Sequence, residues 1–147
     1  MVKKILMVDD SPELTYTAKF TLEKIDPEYY VTCADGGDKC FELLENNEAP
    51  DLILLDIMMP GMNGWQVFKK LRENQDWKKI PIMFLTAKTD NCSKALGKII
   101  AEAYIEKPFE PHVLKERIDK ILAKPFIITK TKEKVIGDVI EKIISDN

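Results

Sequence analysis

The sequence predicts an α/β fold with a parallel β-sheet. Short apolar runs alternate with longer amphipathic stretches along the 147 residues. Strands that alternate with helices in this way are typical of βαβ units, in which neighbouring strands run parallel. Five such strand and helix pairs can be distinguished, so we expect a five-stranded sheet covered by helices. The length fits one domain of ordinary size with a short appendage.

The first half of the chain predicts three strands and two helices. Apolar runs predict strands at residues 5–8, 29–34 and 52–55. Ser11 and Pro12 mark the start of the first helix, because serine caps free backbone N–H groups and proline fits the first turn. Apolar residues at helical spacing continue that helix to Ile25. A glycine-containing turn then precedes a second helix, predicted at 38–45.

The second half predicts two further strands and three helices. The strands are predicted at 80–85 and 103–106, and the helices after Gly64, at 91–100 and around 113–122. Trp65 and Trp77 are expected to be partly buried packing residues. The single histidine, His112, is expected at the surface, near the start of a helix.

The last segment of the chain predicts an additional amphipathic helix. Its apolar residues recur at helical spacing: Val135, Ile136, Val139, Ile140, Ile143 and Ile144. Because a helix this short is marginal by itself in water, its apolar stripe is expected to dock on the preceding domain, on a second copy in a homodimer or on a partner, with the preceding domain favoured and the homodimer next. We expect a main domain at 1–124 and a helical extension at 125–147, which is too short for an output domain.

Composition excludes several classes of protein. The net charge of -3 lacks the basic excess of a nucleic-acid binder, so we expect no contact with nucleic acid. The first apolar run is too short for a signal peptide or a membrane span, which predicts a cytoplasmic protein with no membrane contact. Cys33, Cys40 and Cys92 lack the spacing of a zinc or redox site and are expected to be reduced, packed thiols.

Polar side chains stand where four of the predicted strands end. Asp9 and Asp10 follow the first strand, Asp56 the third, Thr86 the fourth and Lys107 the fifth. Aspartate is an ordinary turn residue, so Asp56 alone could simply end a strand. In an open parallel sheet, however, the functional crevice lies beyond the carboxyl ends of the strands. These five side chains are therefore expected to form one site.

The chemistry of that site points to phosphoryl transfer. Three clustered carboxylates repel one another and need a compensating cation. An all-oxygen ligand set suits Mg²⁺ better than zinc. Lys107 and Thr86 are suited to binding phosphate oxygens. The predicted site is a carboxylate that accepts a phosphoryl group, while Mg²⁺ and lysine neutralise charge.

The chain resembles the receiver domain of two-component response regulators, and in particular the single-domain chemotaxis type, over residues 3–123. The matching motifs are Val8-Asp9-Asp10-Ser11-Pro12, Leu54-Leu55-Asp56-Ile57-Met58-Met59-Pro60-Gly61-Met62-Asn63-Gly64, Thr86-Ala87 and Tyr104-Ile105-Glu106-Lys107-Pro108-Phe109. The resemblance implies a doubly wound parallel sheet in the flavodoxin-like order 2-1-3-4-5, with helices on both faces. The additional C-terminal helix lies beyond it.

The resemblance also implies a role for each site residue. Asp56 would be the phosphoacceptor, supplied by a sensor histidine kinase or a phosphotransfer protein. Asp10 would bind Mg²⁺ directly and Asp9 largely through water, with Asp56 and the main-chain carbonyl of Met58 as further ligands. Lys107 would pair with Asp56 and then with the phosphate, next to a cis peptide bond to proline.

A receiver of this kind is a switch and not a metabolic enzyme. Its only reactions would be self-phosphorylation from a phosphodonor and slow self-dephosphorylation. Thr86 would move toward the phosphate and Tyr104 would turn inward, which would alter contacts with a downstream protein target. A plain packed aromatic is the alternative for Tyr104. Met58 and Lys88 stand where the family tunes loss of phosphate, and a bulky apolar Met58 predicts slow loss.

One departure from the family and two competing functions accompany this prediction. The family often places Gly-Ala before the switch aromatic, whereas this chain has Ile100-Ala101-Glu102-Ala103, so the loop into the fifth strand is expected to differ. An aspartate-nucleophile phosphohydrolase would carry Asp-x-Asp-x-Thr/Val, but Asp56 is followed by Ile-Met-Met-Pro. A pseudo-receiver scaffold, acting by protein contact without phosphorylation, is the remaining alternative.

Overall fold

The structure is a computed structural model that describes residues 1–87, 91–100, 103–124 and 127–146. The strands are β1 Lys3–Val8, β2 Tyr29–Ala34, β3 Leu52–Asp56, β4 Ile82–Ala87 and β5 Tyr104–Lys107. The helices are α1 Pro12–Ile25, α2 Gly37–Asn46, α3 Gly64–Glu73, α4 Asn91–Ile99, α5 Pro111–Ala123 and α6 Lys130–Asp146. This order of elements confirms the predicted fold class.

The five strands form one parallel sheet in the order β2-β1-β3-β4-β5. Val8, the last residue of β1, pairs with Leu55 of β3 on one side and with Ala34 of β2 on the other. On the next strand, Asp56 pairs with Leu85 of β4. This register brings the carboxyl ends of the central strands level with one another, as the predicted order 2-1-3-4-5 requires.

Several strand boundaries differ from the prediction: β3 ends one residue later, at Asp56, β5 is shifted by one residue to Tyr104–Lys107, and β1 and β4 differ more. β4 begins at Ile82 instead of Ile80, because Ile80 donates its backbone N–H to Trp77 in the turn after α3. The strand then extends through Thr86 to its last residue, Ala87. β1 begins two residues early, at Lys3, whose N–H donates to the Glu28 carbonyl at 2.7 Å. A strand predicted from apolar residues alone is too short where charged residues, such as Lys3 and Lys4, continue the backbone hydrogen bonds of the sheet at the end of the strand.

Helices cover both faces of the sheet, so strand residues alternate between two cores. Leu6, Val8, Ile53 and Leu55 point into the core beneath α2 and α3. The intervening residues point into a second core beneath α1 and α5, formed by Ile5, Met7, Leu52, Leu54, Met83 and Leu85 with Leu22 and Ile118. β3 is buried on both faces, which explains its unbroken Leu-Ile-Leu-Leu run.

The C-terminal helix α6 docks on the preceding domain. Ile136 and Ile140 are fully buried in the same core as Trp65 of α3, which is only 4% exposed and thus more deeply buried than predicted. Trp77 is partly buried, as predicted, and its ring tilts against that of Phe41. The favoured prediction for the last helix, docking on its own chain, agrees with this packing.

Several smaller predictions concern the surface and the thiols. His112 is exposed, as predicted. Cys33 and Cys40 are free thiols, and burial raises the pKa of Cys40 to about 12, so it stays protonated and inert. The side chain of Cys92 lies outside the described residues. Within the described ranges, no helix is both long enough and apolar enough to cross a membrane.

A polar network joins α5 to the amino ends of β1 and β2. Asp119 accepts hydrogen bonds from the Tyr29 hydroxyl at 2.6 Å and from the ammonium groups of Lys115 at 2.6 Å and Lys3 at 3.3 Å. Burial by itself would raise the pKa of Asp119, but these donors outweigh it and hold the pKa below its ordinary value. The carboxylate therefore stabilises the fold in its ionised form.

We predict that Asp119→Ala lowers the free energy of unfolding by about 1 to 2 kcal/mol at pH 7, because the buried Tyr29 hydroxyl loses its charged partner. A depressed pKa contributes stability above the pKa of the unfolded chain and loses it as the pH falls. The difference should therefore shrink toward pH 2. Urea titrations check this. Glu116→Ala, which breaks an exposed pair with Lys120, should cost almost nothing. Equal losses in both variants would contradict the prediction.

Candidate functional site

Three carboxylates converge where β1 and β3 end. Asp9 follows β1 and is 1% exposed, while Asp56 closes β3 and is 3% exposed. Asp10 is exposed at the rim. One oxygen from each carboxylate lies within 4.8 Å of the others. The structure thus brings together the three acids that the sequence placed after the two strands.

Backbone and side-chain hydrogen bonds hold Asp9 in place. Its N–H donates to the Ala34 carbonyl at 3.0 Å, and its Oδ1 accepts the N–H of Ser11 at 2.9 Å. Ser11 in turn caps α1 by accepting the N–H of Leu14 at 3.3 Å, as its position before Pro12 predicted. The short connection from β1 to α1 therefore presents Asp9 from a rigid turn.

Lys107, the last residue of β5, joins two of the carboxylates. Its Nζ lies 2.7 Å from Oδ2 of Asp9 and 3.2 Å from Oδ1 of Asp56. The side chain is half-buried, and the peptide bond from Lys107 to Pro108 is cis. The pairing with Asp56 was expected, whereas the shorter contact with Asp9 was not predicted from the sequence.

The charge of the cluster is only partly compensated. Burial, together with the charge of Asp9, raises the pKa of Asp56 to about 7, although Lys107 acts in the opposite direction. Burial would lower the pKa of Lys107, but its contacts with Asp9 and Asp56 outweigh this and raise it. Among the described side chains, three carboxylates face one ammonium, so a divalent cation fits the site. An all-oxygen set with an exposed member, Asp10, suits Mg²⁺.

Thr86 supplies an unused hydroxyl on the neighbouring strand. It is 1% exposed, one residue beyond Leu85, which pairs with Asp56. Among the described side chains, its Oγ1 is the one buried polar atom without a hydrogen-bond partner. A buried hydroxyl left unpaired costs about 1 to 3 kcal/mol. An oxygen atom of a ligand at Asp56 is a chemically suitable partner for it.

Gly64 lets the loop after β3 return to the strand end. Its N–H donates to the Ile57 carbonyl at 2.8 Å, and a Cβ atom at this position would lie 2.1 Å from the carbonyl oxygen of Asp56. No other residue fits so close to that backbone. Gly61, in the same loop, has a φ of +73°, which favours glycine. The loop leaves Met58 41% exposed beside the carboxylates.

Tyr104 lies away from the carboxylate cluster and is packed against α4. It is half-buried, and a Cβ atom on Gly97 would lie 2.5 Å from its hydroxyl oxygen. Its main-chain oxygen accepts a hydrogen bond from Arg117, a contact that no sequence pattern indicated. Lys88 and the Ala101-Glu102 pair of the atypical loop lie outside the described residues.

Comparison with known proteins assigns the family. The family described as response regulator receiver domain matches residues 5–119. The chain belongs to this family. Receiver domains bind Mg²⁺ through acidic residues and are generally not enzymes in the metabolic sense, and the cluster of Asp9, Asp10 and Asp56 could hold such an ion.

Individual relatives support the assignment to receiver domains. The chain is 36% identical to the alkaline phosphatase synthesis transcriptional regulatory protein PhoP of Bacillus subtilis (strain 168), over 100% of this chain and 62% of that protein. It is 33% identical to the sensor histidine kinase TmoS of Ectopseudomonas mendocina, over 97% of this chain and 14% of that protein. The receiver therefore spans less than two thirds of the length of either relative.

A solved structure shows the same fold. The chemotaxis protein CheY4 of Vibrio cholerae superposes with a TM-score of 0.69 and 29% identity, over 82% of this chain and 99% of that one. The agreement confirms the CheY-like order of the sheet that the resemblance implied.

We predict that Asp56→Asn raises the free energy of unfolding of the metal-free receiver by about 1 to 3 kcal/mol at pH 8. The pKa of Asp56 is raised to about 7 in the folded protein. As the pH rises above the ordinary pKa of aspartate, the native state therefore loses stability, and the loss is complete above pH 7. The gain should vanish at pH 4. Thermal or urea denaturation without divalent metal measures the free energy of unfolding at pH 8 and at pH 4.

Added Mg²⁺ should then stabilise the wild type more than Asp56→Asn, since binding to the native state raises its stability by mass action. Asp76→Asn, at an exposed position after α3, is the matched control. It should have the same free energy of unfolding at pH 8 as the wild type and should be stabilised by Mg²⁺ to the same extent. Destabilisation of metal-free protein by Asp56→Asn at pH 8 would contradict the charge balance described here.

Proposed function

We propose that this receiver accepts a phosphoryl group on Asp56 from the phosphohistidine of a sensor histidine kinase or phosphotransfer protein. The observation that carries the proposal is the position of Asp56, buried at the carboxyl end of β3 with Lys107 at 3.2 Å and two further carboxylates alongside. Three clustered carboxylates with one ammonium need further positive charge, which a divalent cation would supply before and during the transfer.

The transfer would form an acyl phosphate. A carboxylate oxygen of Asp56 attacks the phosphorus, the bond from phosphorus to the histidine nitrogen breaks, and the imidazole leaves with its electron pair. Asp9, Asp10, Asp56 and the main-chain carbonyl of Met58 would hold Mg²⁺, which supplies positive charge against the phosphoryl oxygens. Lys107 would exchange its contact with Asp56 for one with the phosphoryl group.

Phosphorylation would then act as a switch. It adds about 1.5 to 2 negative charges and strong acceptor oxygens beside the unpaired hydroxyl of Thr86. Moving a two-state protein from 1:99 to 99:1 takes about 5.5 kcal/mol of differential binding. A hydrogen bond to a charged group supplies about 1.5 to 3 kcal/mol. Thr86 alone would therefore not supply enough free energy, and Lys107 and main-chain N–H donors would have to contribute the rest.

The output would be a contact with a downstream protein. Thr86 moves toward the phosphoryl group and Tyr104 turns inward, away from Gly97 of α4, so the face formed by α4, β5 and α5 changes shape. We also propose that 125–147 belongs to this receiver as a helical extension and not as an output domain. The burial of Ile136 and Ile140 in the receiver core supports this assignment.

The direct test is the intact mass of the protein after incubation with a small phosphodonor and Mg²⁺. One added phosphoryl group is expected in the wild type, because Asp56 is the acceptor, and none in Asp56→Asn or in a metal-free sample. Failure of the wild type to gain mass, and failure to bind beryllium fluoride while remaining folded, would contradict the proposal and favour a scaffold without phosphorylation.

The exposed thioether of Met58 should slow the loss of the phosphoryl group. Met58 is 41% exposed and stands two residues beyond the acceptor, where its apolar side chain would hinder an attacking water. We predict that Met58→Asn shortens the lifetime of the phosphoprotein about tenfold, equivalent to about 1.4 kcal/mol in the barrier. Intact mass followed over time gives the rate. Met58→Leu, apolar and of similar volume, should keep the slow rate, and a wild-type lifetime of minutes or less would refute the idea.

A further inference from the structure

The C-terminal helix α6 bridges two other helices of the receiver. Its residues Ile136 and Ile140 are buried in one cluster with Trp65 of α3 and Leu96 of α4. Within the described ranges, α4 is the element that α6 contacts most. Because a single rigid helix holds both neighbours, any movement of α4 relative to α3 has to disturb this interface.

The α3 side of the interface leads directly to the proposed phosphoacceptor. Gly64 packs against the carbonyl of Asp56, and the next residue is Trp65. The Trp65 ring lies so close to α6 that a Cβ atom on Gly137 would be 2.8 Å from it. The ring is also stacked on Phe68, with centroids 4.8 Å apart, and so has little room to retreat.

The α4 side leads to the other half of the proposed switch. Thr86 lies at the carboxyl end of β4, on the chain path into α4, and its hydroxyl has no partner among the described side chains. The hydroxyl of Tyr104 abuts Gly97 within α4. A Thr86 that moves to a phosphoryl oxygen, and a Tyr104 that turns inward, would both shift α4 relative to α3.

We infer that α6 is a phosphorylation-sensitive clasp, docked across α3 and α4 in the unphosphorylated receiver and released when Asp56 carries a phosphoryl group. This rests on the proposed function, since phosphorylation is the trigger. Release would expose the apolar surface around Trp65 and Leu96 to the downstream protein. Reciprocally, an undocked α6 would favour the phosphorylated state, because coupling between two sites acts equally in both directions.

The centre of the interface is apolar and buried, whereas its edge is held by polar contacts. A surface groove of about 380 Å³ runs along the edge of the interface between α6 and α3. One ion pair across the seam, Lys69 with Glu141 at 3.3 Å, is exposed and contributes little. A second ion pair among the described residues, Arg72 with Glu133 at 3.7 Å, is more sheltered. Once released, a helix of 17 residues is marginal in water and would fray.

Hydrogen–deuterium exchange of the full chain tests the inference. Wild-type protein is compared with and without a small phosphodonor in the presence of Mg²⁺, and the intact mass of the same samples gives the phosphorylated fraction. Backbone amides of 136–144 should exchange about tenfold faster or more in the phosphorylated protein, because a released helix loses protection. Asp56→Asn under the same conditions should show no change.

A matched pair of variants isolates the clasp. Gly137→Leu improves helix propensity yet collides with the Trp65 ring, so α6 should exchange fast before and after phosphorylation. By reciprocity it should also bind beryllium fluoride more tightly than the wild type. Lys142→Leu places the same side chain at an exposed position of α6 and should behave as the wild type.

Distinct outcomes separate the two proposals. Full phosphorylation with unchanged or slower exchange in α6 would overturn the clasp and leave the proposed function standing. Slow exchange in Gly137→Leu would also overturn it, because contact at Trp65 would then not hold the helix. Absence of any mass gain in the wild type, together with failure of the folded protein to bind beryllium fluoride, would remove the trigger and overturn both proposals together.

Discussion

The site depends on the contact of one lysine with two buried carboxylates. Lys107 reaches Asp9 at 2.7 Å and Asp56 at 3.2 Å, and without it two nearly inaccessible acids would face each other across the ends of β1 and β3. Even with the lysine, burial and the charge of Asp9 raise the pKa of Asp56 to about 7. The three carboxylates therefore keep an excess of negative charge, which a divalent cation can balance.

The sheet makes this arrangement possible because an apolar core packs against each of its faces. β3 is buried on both faces and pairs with β1 and β4, so Asp56 is delivered from the best-packed strand. Gly64 then allows the following loop to fold back onto the backbone of Asp56. Stability and reactivity are thereby separated: the two apolar cores fix the strands, and the polar residues at their ends are left to respond to ligands.

Much of this could be predicted from the sequence, because the signals were local. Unbroken apolar runs marked the strands, and the acids at their ends followed from the rule for parallel sheets. The start of β4 was misplaced, since Ile80 is apolar yet belongs to a turn. The burial of Trp65 was underestimated, because part of its cover comes from α6, which is distant in sequence. The contact of Lys107 with Asp9 was not predicted for the same reason: a pairing between residues 98 positions apart leaves no local pattern.

The central claim is that Asp56 is an acid whose charge the fold leaves only partly compensated. Carbon-13 NMR of the aspartate carboxyl groups, titrated with pH in the presence and absence of Mg²⁺, tests it most directly, with the Asp56 signal assigned by its loss in Asp56→Asn. The account predicts a midpoint near pH 7 without metal, as burial and Asp9 require, and a marked downward shift when Mg²⁺ is added. A midpoint in the ordinary range of aspartate, unaffected by Mg²⁺, would contradict it.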